Sequence, residues 1–267
     1  WLGPITQTGI SRVRSLAGSR LTLLGGVSGS SSVYLSPDAG AEVAVAGGPI
    51  SVGSSGKVFA NGAGVVALGA TGNTFGTLEV AGLTVRTDVA GALPAATILS
   101  IGTSYSSSGT FDLNGNSQTV SQLKRGLSAT GTRAVTSAAP ATLTVSGSTS
   151  TAYDGQLAGA LSLTKAGSST LTLSGVGNTF SGVTSVSAGT LDVGASTTLG
   201  QCWSVVVTGG TLRLRNASAL SDTALLRISG SGKVRVDGGA ETVGALFLDG
   251  KRQRRGTYGP TASSATY

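Results

Sequence analysis

Hydrophobic and polar residues alternate in short bursts along the whole chain. Triplets such as Leu21-Thr-Leu23, Val43-Ala-Val45, Leu78-Glu-Val80, Phe111-Asp-Leu113, Leu143-Thr-Val145, Leu171-Thr-Leu173, Leu191-Asp-Val193, Leu212-Arg-Leu214 and Val234-Arg-Val236 place every second side chain on one face. That period is the mark of a half-buried strand. Nearly every triplet is followed within a few residues by Gly, Asn or Asp, which tolerate positive φ and end a strand in a tight turn. No segment sustains an i, i+3, i+4 stripe. Ser11–Leu24 comes nearest to a helix, and Gly18 and its alternating end count against it.

The triplets recur at a longer period. Leu171 to Leu191 is 20 residues, Leu191 to Leu212 is 21, and Leu212 to Val234 is 22. The surrounding residues align as well: Val186-Ser-Ala-Gly-Thr-Leu-Asp-Val193, Val207-Thr-Gly-Gly-Thr-Leu-Arg-Leu214, and Ile228-Ser-Gly-Ser-Gly-Lys-Val-Arg-Val236. Ile50–Phe59 has the same shape, and Gly-Asn-Thr-Phe stands at 72–75 and again at 177–180. Strand, glycine corner, strand, repeated at this period, predicts one coil of a β-solenoid whose coils pair in parallel. About twelve coils at roughly 4.8 Å each would make a rod on the order of 60 Å long. A β-sandwich is the competing architecture, but its strands follow at 8–12 residues without a longer period. The expected organisation is one solenoid domain over 1–267: irregular coils over 1–60, regular coils over 61–250, and a basic turn or cap over 251–267. The least periodic segment, Lys124–Pro140, reads as a loop leaving the rod.

Composition narrows the chemistry. Gly occupies 43 of 267 positions, and only 11% of residues are charged, against about 25% in an average protein. With no His, no Met and a single cysteine, Cys202, one chain cannot build a Ser-His-Asp triad, a His-ligated metal site, a thiolate zinc cluster or an internal disulfide. No cofactor or nucleotide fingerprint is present, and no apolar run reaches the ~20 residues of a transmembrane helix. The lack of Met marks Trp1 as a mature or trimmed end, with any signal peptide removed.

The net charge of +7 is concentrated late: residues 213–255 carry nine Arg or Lys against four acids. Its sharpest feature is Lys251-Arg-Gln-Arg-Arg255. Lys251, Arg252, Arg254 and Arg255 cannot be buried unpaired, so an exposed loop near the rod end is expected, suited to anionic glycan or to a neighbouring subunit. Without interleaved aromatics or a recognition helix it is not a nucleic-acid site. Trp1 and Trp203 are candidate contact residues where exposed; beside Cys202, Trp203 reads more simply as buried. Asn73 and Asn178 are expected at solenoid corners, taking left-handed backbone or bonding to adjacent coils, and Phe75 and Phe180 in the core. Asp112 and Asp192 stand mid-triplet and are expected to face outward.

Leu163-Thr-Lys-Ala-Gly-Ser-Ser-Thr-Leu-Thr-Leu-Ser-Gly175, Gly177-Asn-Thr-Phe-Ser-Gly182 and Val186-Ser-Ala-Gly-Thr-Leu-Asp-Val193 together resemble the autotransporter-associated β-strand repeat. Phe111–Val120 is similar to a segment found between such repeats. Thr242–Gly250 with Gly256-Thr-Tyr-Gly-Pro260 is similar to a C-terminal unit of secreted proteins that carry them. The resemblance covers about residues 70–267. It implies a right-handed parallel β-helix outside a bacterium, a passenger or surface structural protein, with no catalytic residue carried over. The C-terminal alternating segment of an outer-membrane barrel is not seen.

The expected function is therefore a non-enzymatic extracellular structural solenoid. Open strand edges at its ends invite head-to-tail copies and a filament. One alternative is an adhesin-like module holding anionic polysaccharide or a cell surface through the basic C-terminal flank. Another is a β-helix enzyme that degrades polysaccharide with paired carboxylates.

Overall fold

The computed structural model describes residues 1–103, 108–127 and 131–258. They form strands joined by turns, with no helix, wound into a β-solenoid of about 11 turns. Three sheets, of 13, eight and five strands, run along it. All the strand pairings are parallel except the last, between Ala245–Leu248 and Lys251–Arg252. The eight-stranded sheet ends at Gln122–Arg125, beside which Thr151–Tyr153 begins the five-stranded sheet.

Register shows why the triplets repeat. Leu171, Leu191, Leu212 and Val234 stack in one inward column, and Leu173, Val193, Leu214 and Val236 in the next. In the 13-stranded sheet Val145, Lys165, Val186, Val207, Ile228 and Leu248 form another. Each fully buried Leu or Val stabilises the fold by roughly 1.5–3 kcal/mol relative to exposure. Phe75, Phe111, Tyr153 and Phe180 fill the wider parts of the core.

Coil length is uneven. From Ala134 onward, pairings such as Ala134↔Gln156 and Ala141↔Leu161 follow the 20–22 period. Upstream, Val65↔Thr84 is a shorter step and Thr84↔Thr110 a longer one. Corners are tight where coils turn together. Gly189 has φ 64° and Gly210 φ 71°, and a Cβ on Gly210 would run into the Gly189 carbonyl.

One local expectation is met and one is corrected. Ser11–Leu24 is two strands, Ser11–Ser15 and Arg20–Leu23, with Gly18 at φ 71° between them. Lys124–Pro140 is not one continuous loop: its two ends belong to the strands Gln122–Arg125 and Arg133–Val145, while residues 128–130 lie outside the described ones. Pro140 falls where the register slips between Ser137 and Ala141. A proline there removes no ladder hydrogen bond, so it does not break the strand.

Candidate functional site

The two Gly-Asn-Thr-Phe elements clamp coil to coil. Asn73 Oδ1 accepts from Ile50 N at 2.6 Å, and its Nδ2 donates to the carbonyls of Ala70 and Ala92, each at 2.7 Å. Asn178 repeats the pattern, accepting from Leu157 N and donating to Thr198 O, both at 2.8 Å. Each asparagine thereby joins the coil before it to the coil after it. The left-handed backbone falls on Gly72 and Gly177, both at φ 72°, not on the asparagines.

At the C-terminal end, Asp249 (φ 47°) and Gly250 (φ 78°) make a two-residue turn. This is the Asp-Gly hairpin chemistry. It folds Lys251–Arg252 back against Ala245–Leu248 as a strand, where a loop was expected. Lys251, Arg252, Arg254 and Arg255 are all exposed. Among the described residues none of the four pairs with an acid. Trp1 is 67% exposed, and Trp203, against the expectation of burial, is 57% exposed. Cys202 beside it is buried, and burial pushes its thiol up, which keeps it in the unreactive form.

Most of the acids are engaged by the scaffold. Asp192 sits on an outward column with Thr172, Arg213 and Arg235, yet it is 4% exposed. Arg215 from the next coil covers it. Asp192 thus faces outward as expected, and the arginine laid over it is what keeps it from solvent. Asp112 remains half-exposed and accepts from Asn114 N at 2.9 Å. Asp237 is held low by Arg213 and Arg235, and Asp38 by Arg14. Burial raises Glu241, whose carboxylate accepts from Ala219 N at 3.0 Å and Leu220 N at 3.2 Å.

Two features escape the sequence pattern. Lys165 is buried at an inward position, and its ammonium donates to the Gly167 carbonyl. On the outer wall, Tyr34 and Phe59 stack with ring centroids 4.5 Å apart and planes 12° from parallel. The alternation Leu161, Leu163, Lys165 was the available signal for the first. Nothing short of the register signals the second.

This geometry, parallel coils locked by asparagine clamps, coincides with a family match. Residues 163–193 match the model of the passenger-associated-transport-repeat. The chain carries an autotransporter passenger-type repeat. The matched stretch spans Lys165, the Asn178 clamp, the Gly189 corner and Asp192. No curated protein and no solved structure matches the chain. Repeat and solenoid together fit a surface or extracellular β-helix protein. No helix among the described residues is long and apolar enough to cross a membrane.

Proposed function

We propose that the chain is a non-enzymatic structural solenoid, displayed or secreted outside a bacterial cell, that stacks head to tail. The observation that supports this reading is where its charged side chains go. Arg14–Asp38, Lys57–Glu79, Arg125–Asp154, Arg213–Asp237 and Arg215–Asp192 all tie one coil to another. Ion pairs arranged in this way hold a rod together and leave few groups to converge on a substrate.

The stacking contact joins the two ends of one wall. Ser11–Ser15 is an edge of the eight-stranded sheet, and Lys233–Val236 is the far edge of the five-stranded sheet that continues it. Near the first edge Leu2, Ile10 and Leu16 are strongly exposed; at the second, Val236 is 40% exposed. At the far end of the 13-stranded sheet, Lys251–Arg252 covers the edge with cations, a device that blocks further pairing there. Arg14 and Arg235 are already paired with Asp38 and Asp237, but Arg12 at one end of the wall and Lys233 at the other are exposed with no acidic partner among the described residues. Stacking therefore brings like charges together, and salt should strengthen it. Sedimentation and negative-stain imaging across protein and salt concentration test this. Rods that lengthen with added salt support the reading; rods of one length at every concentration refute the stacking.

A further inference from the structure

We propose that the outer wall of the eight-stranded sheet is a binding face for a sparsely charged acidic polysaccharide lying along the rod. Six outward side chains from successive coils share one column in strict register: Arg12, Tyr34, Phe59, Glu79, Ser100 and Lys124. None is close to another in sequence. Folding alone assembles a line of cation, two aromatics, acid, hydroxyl and cation.

The aromatic pair is oriented for anions. Tyr34 and Phe59 turn their faces to each other. The Arg12 guanidinium stands 5.2 Å from the Tyr34 ring centre and the Lys57 ammonium 5.5 Å from that of Phe59. With the faces occupied, the ring edges are left toward solvent. Aromatic edges carry the positive end of the quadrupole, so cations and ring edges together favour a negative ligand over the flat apolar face of a neutral sugar.

Beyond Phe59 the column enters a groove of about 420 Å³. Its walls carry three cations, Lys57, Lys124 and Arg125, against one carboxylate, Glu79. Lys57 is tied to Glu79 at 3.1 Å and Arg125 to Asp154 at 3.3 Å. Lys124 has no acidic partner among the described residues. Ser100, 5% exposed, lines the groove between the Glu79 and Lys124 levels. Three coil steps separate the Lys57 and Lys124 levels, roughly 14 Å at the usual strand spacing. Hydroxyl-bearing Thr77 and Ser100 lie between. Widely spaced cations with hydroxyls between them suit a glycan bearing a carboxylate on only some of its sugars. They do not suit nucleic acid, with a charge every ~3.4 Å per strand.

The test is calorimetric titration of the purified chain with a hyaluronan octasaccharide. A neutral cello-oligosaccharide of the same length, polyphosphate and single-stranded DNA serve as comparisons. The expected result is binding of the acidic octasaccharide alone. It weakens at least tenfold in Lys124→Gln and in Lys57→Gln, and stays within twofold when Lys251, Arg252, Arg254 and Arg255 are all changed to Gln. Circular dichroism and melting of each variant confirm that the solenoid is intact. The proposal is overturned by no binding, by binding that follows the C-terminal cations instead, or by equal binding of polyphosphate or DNA. Because the wall lies along the rod's side, failure here leaves the stacking reading standing, and failure of stacking leaves this one.

Discussion

The Arg215 guanidinium lies side-on against the Asp192 carboxylate, with Nε to Oδ1 and Nη2 to Oδ2 both at 2.7 Å. Two parallel charge-assisted bonds hold a nearly buried acid under a half-exposed base. Arg213 stands farther off, at 3.9 Å from Asp192. Arg215→Gln should lower the melting temperature clearly, because Asp192 is left covered with only a distant partner. The double variant Asp192→Thr, Arg215→Gln should recover most of the loss, since Thr already occupies the column at Thr172. A double variant no better than the single one would show that the pair is not the source of the effect.

Asn178 bonds the coils on both sides of it. Asn178→Ala would strand a buried N–H at Leu157 and a carbonyl at Thr198. At about 1–3 kcal/mol for each unsatisfied group, a cost of about 2–4 kcal/mol is expected from urea denaturation. Asn178→Asp keeps the acceptor but sets a nearly buried carboxylate against the Thr198 carbonyl, so at neutral pH its cost should be no smaller than that of Ala. A loss below about 0.5 kcal/mol for Ala would mean that the clamp is incidental.

Tyr153 is wholly buried, and among the described residues its hydroxyl has no hydrogen-bond partner. Burial, with the negative charge of Asp154, pushes the phenol far above its ordinary range. A buried hydroxyl without a partner costs stability. Tyr153→Phe should therefore be neutral or stabilising by up to about 1 kcal/mol. Thermal melting checks it, and a clear drop in stability would reveal a bond that the hydroxyl makes.

Lys165 should make stability depend on pH. Burial lowers its pKa from the ordinary 10.5. Between the lowered folded value and 10.5 the unfolded chain binds more protons than the folded one, so stability rises with pH through that window. Below the window both states are protonated, and the folded state carries the full cost of a buried ammonium. Lys165→Met should raise the melting temperature at neutral pH, and its advantage should shrink as pH approaches 10.5. Parallel profiles for variant and wild type would show that Lys165 does not set the slope.

Much of this protein can be read from one strand of reasoning. Period-two triplets with glycine corners, repeated at 20–22 residues, determine a coil whose inward columns are aliphatic, because alternation and turn chemistry are local properties of the chain. The same logic placed Phe75 and Phe180 inside and the Lys251–Arg255 cations outside. It missed where local rules compete with packing. Lys165 follows the inward beat of Leu161 and Leu163 although its charge argues for the outside, and only the nearby Gly167 carbonyl makes the position tolerable. Asp192 follows the outward beat but is buried, because Arg215 folds over it from the next coil. Trp203 is exposed beside a buried cysteine.

What only the tertiary structure decided is register. Coil length varies along the first half of the chain, so no fixed period reveals that Arg12, Tyr34 and Phe59 stand one above another. A column is set by how many residues each turn takes to return to the same wall. That number depends on corners packing against the coils above and below, an interaction that exists only once the neighbouring coils have formed.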